Sequence, residues 1–205
     1  MGIAEPRFTH AAGQPPSHLR LQIHAQWQQQ AARHGGLWIF GYGSLIWRPD
    51  LDFSQRLSAR VFGWHRALAM WSRVNRGTPE RPGLVFAMLP GGSCSGVAYR
   101  LRPTDLDSAF DQLWAREMPS EVYDPRWLRC NTPSGSVTAL AFTLSRRSPA
   151  FTGRLQPAQY QDIFGHSCGR YGTTLDYARE TMNSLRANGI QDRRLEALLR
   201  HADAH

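Results

Sequence analysis

The residues best suited to chemistry are a glycine-rich turn and one displaced carboxylate. Phe40-Gly41-Tyr42-Gly43-Ser44-Leu45-Ile46-Trp47 follows the apolar run Leu37-Trp38-Ile39, so a buried strand runs straight into Gly-x-Gly-Ser. Glycine admits positive φ and lets a ligand approach the backbone closely, and consecutive uncovered N–H groups make a concave anion site. Such a loop suits a carboxylate or a developing oxyanion. The matching carboxylate is Glu117. In the helix read over 104–117, Leu106, Phe110, Leu113 and Trp114 form the apolar stripe, and Glu117 falls on that same face, four after Leu113. Burial and the negative end of the helix dipole both disfavour the charged form, which moves the pKa toward the range of a general base near neutral pH. An unpaired buried carboxylate costs on the order of several kcal/mol, so the position calls for a partner or a task. In the competing reading Glu117 pairs with Arg116 or another arginine, or caps the helix end in solvent. Spacing alone leaves the two readings open.

Other groups are weaker candidates. Gly-Tyr-Gly-Ser-Leu is not the Gly-x-Ser-x-Gly of a nucleophile elbow, and Ser44 reads as a donor or loop-shaping residue. Gly41-x-Gly43 lacks the third glycine and the βαβ repetition of a dinucleotide fingerprint. The remaining glutamates sit in the tail (Glu5), a turn (Glu80), a loop (Glu121) and C-terminal helices (Glu180, Glu196). Cys94, Cys130 and Cys168 are odd in number and widely spaced, and the histidines show no metal-binding spacing. No metal is expected, and the three thiols are expected to be free and buried in a reducing compartment. No apolar run approaches the roughly 20 residues of a membrane span, and the N-terminus lacks a signal-peptide core; the expected location is cytoplasmic.

The elements that must position these groups follow from hydrophobic patterning. Residues 1–36 read as an N-terminal extension in which Leu19, Ile23 and Trp27 make one narrow apolar stripe on a Gln-rich helix ending near Gly35-Gly36. Strands are expected at 37–42, 59–71, 84–89 and 95–102, rich in Val, Phe, Trp and Tyr between Gly/Pro clusters. A helix starts at Pro103-Thr104-Asp105 with Thr104 as N-cap. Extended segments follow near 121–131 and 136–144. Helices then begin near Pro157, at Thr173 or Thr174 (Leu175, Ala178, Met182 and Leu185 inward, stopping at Gly189), and at Asp192. The class is α+β. Net charge is +8 and all 24 basic residues are arginine; scattered as singles and pairs, they make no nucleic-acid stripe, and their positive potential suits an anionic small molecule.

In this order and spacing, several segments resemble the ChaC-type γ-glutamylcyclotransferase family. They are Trp38 to Trp47, Arg76-Gly77-Thr78-Pro79-Glu80-Arg81-Pro82-Gly83, Gly96 to Leu101, Arg116-Glu117-Met118, Tyr123 to Leu128 and Gly189-Ile190-Gln191-Asp192. The resemblance covers roughly Leu37 to Arg200. It implies a compact, mainly antiparallel β-barrel or curved sheet flanked by helices, with 37–205 as the catalytic domain. It also implies a lyase that cleaves glutathione into 5-oxoproline and cysteinylglycine without cofactor. Tyr42, Gly43, Ser44 and Leu45 carry over as the γ-glutamyl-binding loop, and Glu117 as the catalytic acid/base. Tyr123 carries over as a substrate contact across a departure: some members have Arg-Glu-Lys-Gly-Gly-Tyr where this chain has Arg116-Glu117-Met118-Pro119-Ser120-Glu121-Val122-Tyr123, similar to the bacterial branch. Cys168 to Gly172 departs as well.

Both lines of reading allow one mechanism. The free α-amine of a γ-linked glutamate can close a five-membered ring on the scissile carbonyl, so the substrate supplies its own nucleophile. Glu117 would move one proton, the N–H groups of 43–45 would hold an anionic oxygen, and Arg76 or Arg73 would pair with a glutathione carboxylate unless Arg76 only braces its turn. Other γ-glutamyl amino acids or amines, or sensing of an anionic metabolite without turnover, are the alternatives. Nucleic acid and membrane are not expected partners; monomer and dimer are both open.

Overall fold

The computed structural model describes residues 17–34, 36–102, 104 and 106–202. The expected disposition of residues 1–16, and the Pro103 and Asp105 portion of the expected helix start, lie outside them. Among these residues, seven strands and five α-helices follow in the order α1 (His18–His34), β1 (Trp38–Gly41), β2 (Phe53–Ser72), β3 (Gly83–Leu101), α2 (Leu106–Glu117), β4 (Asp124–Thr132), β5 (Gly135–Thr143), α3 (Pro157–His166), β6 (Cys168–Gly169), β7 (Gly172–Thr173), α4 (Thr174–Ala187) and α5 (Arg193–Leu199).

Five strands close a barrel in the order β1-β3-β2-β4-β5. The pairings are antiparallel except where β1 meets β5, with Trp38 opposite Ala139 and Ile39 opposite Leu140. The backbone is long where it must curve. β2 and β3 pair from Phe53–Leu101 to Ser72–Gly83, and a register shift between Phe62 and Trp64 bends the pair. Gly63, Gly91 and Gly92 take φ of 81°, 102° and 73° there, values that cost glycine little. The two strands expected at 84–89 and 95–102 are therefore one. Pro90-Gly91-Gly92 reads as a turn in sequence but acts as a bulge, because the partner strand bends with it.

One core cluster fills the barrel and packs α4 and α5 against it, including Phe40, Met88, Tyr99, Tyr177 and Leu185. A second lies between the barrel and the two earliest helices, joining Ile23 and Trp27 of α1 to Phe110, Leu113 and Trp114 of α2 and to Leu45. The N-terminal stripe thus docks on α2 by its buried face. Polar bonds lock the contact: Trp27 Nε1 donates to the Leu106 carbonyl at 3.1 Å, and Arg20 pairs with Asp111 at 2.6 Å. Cys94 and Cys130 are buried free thiols, whereas Cys168 is exposed; it sits on the short β6 at the rim, not in a core layer. Among the described residues no helix is long and apolar enough to cross a membrane.

Opposite the bend, the loop joining β2 to β3 interlocks with the β6–β7 turn. A Cβ on Gly77 would come within 2.1 Å of the Gly83 nitrogen, and one on Gly169 within 2.5 Å of the Gly77 nitrogen. Backbone bonds Arg170 N–H to Val74 O (2.8 Å) and Tyr171 N–H to Asn75 O (2.9 Å) close the lock. Only glycine allows these chains to approach so closely, and the lock fixes Arg76 at the inner edge.

Candidate active site

At the end of β1 the chain turns through a single 3-10 turn, Ser44–Ile46. Ile46 N–H bonds Gly43 O at 3.0 Å and Arg48 N–H bonds Ser44 O at 2.8 Å. The Tyr177 hydroxyl stands close to the Ser44 backbone, which offsets part of its burial. Among the described residues the Gly43 and Leu45 N–H groups have no acceptor. Gly43 is closely packed: a Cβ there would lie 3.0 Å from Tyr177 Oη and 3.4 Å from Phe86 Cβ, so a side chain would press on the Tyr177 hydroxyl. Leu45 anchors the loop in the core cluster shared with α2.

Glu117 is the last residue of α2, with 15% of its side chain exposed. Both sequence readings hold in part. Arg116 Nε donates to Glu117 Oε1 at 3.0 Å, and the same guanidinium reaches Pro49 O (3.1 Å), Asp50 Oδ2 (2.8 Å) and Ser44 Oγ (3.3 Å). Arg116 thereby fastens the carboxylate to the glycine loop. Burial nonetheless outweighs the arginine and holds the Glu117 carboxyl above its ordinary value.

Three tyrosines face this carboxylate. Tyr42 is buried, its hydroxyl donating to the Phe142 carbonyl at 2.7 Å, and the Tyr123 hydroxyl points to the Phe86 carbonyl at 3.5 Å. Tyr177 accepts from the Phe86 N–H at 3.3 Å. Burial, then the negative charges and hydroxyls nearby, push Tyr42 and Tyr123 well above the ordinary phenol range; burial takes Tyr177 to about 12. All three stay neutral at physiological pH and act as hydroxyl donors or acceptors. Arg76 is buried, its guanidinium carbon 4.9 Å from the Tyr177 ring centre while it donates to the Tyr171 carbonyl. Burial lowers its pKa. Arg76 therefore braces its turn and also brings a cation to the wall of the site; Arg73 is exposed on the loop.

The structure gathers Tyr42, Gly43, Ser44, Leu45, Glu117 and Tyr123 into one locus with Arg76 at its edge. Sequence reasoning missed Tyr177 and the branching role of Arg116. Thr174, Tyr177 and Thr181 stand three and four apart on α4 and are all buried, a polar-tipped row beside the apolar stripe that signals a helix face turned toward a site. Two surface clefts of about 460 Å³ each lie elsewhere, one beside Trp38 and Arg56, the other between α1 and β4. Among the described residues no group of three His, Cys, Asp or Glu side chains is placed to hold a metal ion.

A closed barrel carrying this loop and helix-end carboxylate has the fold of the γ-glutamyl cyclotransferases. A crystal structure of a γ-glutamyl cyclotransferase specific to glutathione from yeast superposes with a TM-score of 0.75 at 21% identity, covering 82% of this chain and 96% of that one. The family model described as ChaC-like protein matches residues 37–205, and the chain belongs to that family. It is 35% identical over 166 residues to the glutathione-specific γ-glutamylcyclotransferase of Escherichia coli K12, covering 80% of this chain and 72% of the relative. It is 31% identical over 199 residues to glutathione-specific γ-glutamylcyclotransferase 1 of Rattus norvegicus, covering 92% and 88%. The Schizosaccharomyces pombe glutathione-specific γ-glutamylcyclotransferase is 43% identical over 172 residues, covering 74% and 84%.

Proposed function

We propose that this protein is a glutathione-specific γ-glutamylcyclotransferase, with residues 37–205 as its catalytic domain. The observation that carries the reading is Glu117, an acid buried against the Tyr42–Leu45 loop and tied to it through Arg116. Recognition of an anionic ligand alone has no need of a second buried acid; proton transfer does.

The γ-glutamyl α-carboxylate or the carbonyl oxygen sits on the Gly43 and Leu45 N–H groups, and the Tyr42 and Tyr123 hydroxyls line the glutamyl pocket. Glu117, ionised, takes a proton from the substrate's α-ammonium. The amine nitrogen attacks the γ-carbonyl carbon, forming the C–N bond of a five-membered lactam. As the tetrahedral carbon collapses, the bond to the cysteinyl nitrogen breaks, Glu117 returns its proton to that nitrogen, and the second proton of the attacking nitrogen also passes to the departing amine, which leaves as an ammonium. No water is consumed, and the products are 5-oxoproline and cysteinylglycine. Holding the cyclic conformer exploits effective molarities of roughly 10⁵ M or more, and general acid–base help contributes on the order of 10² to 10⁴ in rate. A loop N–H donor at the developing oxyanion is worth about 3 kcal/mol.

The test is 5-oxoproline release by the purified protein from glutathione, γ-glutamyl amino acids and γ-glutamylamines side by side. Preferential release from glutathione is expected. Preference for another donor would reassign the substrate, and binding without release from any donor would replace the enzyme reading by that of a metabolite sensor.

A further inference from the structure

Arg66 on β2 and Asp192 at the start of α5 lie outside the residues assigned above. The Arg66 side chain is 4% exposed, and its Nε and Nη2 donate to one oxygen of Asp192, Oδ2, at 3.0 and 2.6 Å. The other carboxylate oxygen, Oδ1, accepts the Leu195 N–H at 3.0 Å and caps α5. The remaining guanidinium nitrogen, Nη1, donates to the carbonyls of Tyr42 (2.9 Å) and Ser95 (3.0 Å). A buried cation is thus held between one carboxylate and the carbonyl of the residue that opens the glycine loop.

The consequence follows from peptide geometry. The Tyr42–Gly43 bond is trans, as are all those described. In a trans peptide the C=O and the next N–H point in opposite directions. Drawing the Tyr42 carbonyl inward to Arg66 turns the Gly43 N–H to the other side of the loop. That N–H has no acceptor among the described residues.

We infer that Arg66 and Asp192 are positioning residues that set the plane of the Tyr42–Gly43 peptide and so aim the Gly43 N–H at the anionic oxygen of the substrate. The inference rests on the proposed role of Tyr42–Leu45 as the γ-glutamyl loop. Arginine suits the task because its planar fork reaches the carboxylate and both carbonyls together; a lysine ammonium cannot span that arrangement. Capping of α5 by Oδ1 is a separate function of Asp192, and asparagine preserves it.

The experiment compares wild type with Arg66→Lys, which keeps the charge, and with Arg66→Met/Asp192→Asn, which removes both buried charges while retaining the cap. Removing a buried pair as a unit is often close to neutral for stability, so the double variant stays informative where a single charge deletion would unfold. Melting temperature, kcat, KM for glutathione and the pH profile of kcat/KM are measured. The folded variants are expected to lose about ten- to a hundredfold in kcat/KM, the scale of a misplaced reacting group. The acid limb is expected at the wild-type pH, because Glu117 and Arg116 are untouched. Cooperatively folded variants within threefold of wild type would overturn the inference, as would a loss accompanied by a shifted acid limb, which marks a general disturbance of the site. Wild type that releases no 5-oxoproline from any γ-glutamyl donor would remove the proposed function and this inference together. Active wild type with unaffected variants removes the inference alone.

Discussion

At Glu117 two opposing influences meet, and under the proposed acid–base role their balance sets the pH range of the reaction. Burial raises the carboxyl and Arg116 lowers it, with burial the larger. A base must be ionised to act, so activity is present above the folded-state pKa and falls as pH drops through it. Arg116→Met removes the lowering influence and moves that limb to higher pH; the limb set by the substrate's own α-ammonium is common to both proteins. Comparing kcat/KM against pH is expected to show the alkaline displacement, and an unmoved or acid-shifted limb would separate Arg116 from the titration. The glycine loop and Glu117 were legible in sequence because each is a local pattern: a strand running into Gly-x-Gly, and an acid on an apolar helix face. Tyr177 was not, because it approaches Gly43 from a helix 134 positions later in the chain. Arg116 was legible as a partner for Glu117 but not as a bridge, since its neighbours in sequence do not disclose that one guanidinium also spans Ser44, Pro49 and Asp50.

Helix α1 belongs energetically to the element that carries Glu117. Trp27 has no exposed surface, packs edge-on to Phe110 with ring centres 5.3 Å apart, and bonds the first carbonyl of α2. Trp27→Ala is expected to cost about 3–5 kcal/mol, read as a lowered urea midpoint, and a loss under about 1 kcal/mol would show that α1 is an independent appendage. The sequence stripe of Leu19, Ile23 and Trp27 marked the buried face but not its partner, since periodicity records a face and not what covers it. Strand pairing shows the same division. Apolar runs located β1, β4 and β5 within a few residues, yet the continuity of β3 through Pro90-Gly91-Gly92 and the lock of Gly77 against Gly169 depend on segments far apart in the chain. Helix ends marked by local chemistry were readable, as at Thr173 and Asp192, where the caps accept from Asp176 and Leu195.

Over the whole molecule, a net charge of +8 gives an anionic substrate a favourable long-range potential. Arg76 and Arg116 bring part of that charge to the rim of the site. Raising ionic strength from well below to well above physiological salt is expected to raise KM for glutathione a few-fold with kcat little changed; a KM independent of salt would confine recognition to short-range contacts. Barrel, loop and helix serve one purpose in this reading: they place a single proton-transferring acid beside a substrate that carries its own nucleophile. The most direct measurement is the release of 5-oxoproline and cysteinylglycine from glutathione by wild type beside Glu117→Gln, with folding of both checked by melting. Release by wild type, with turnover reduced at least about a hundredfold in the variant, is the expected result. A folded Glu117→Gln protein that turns over glutathione at near wild-type rate would contradict it.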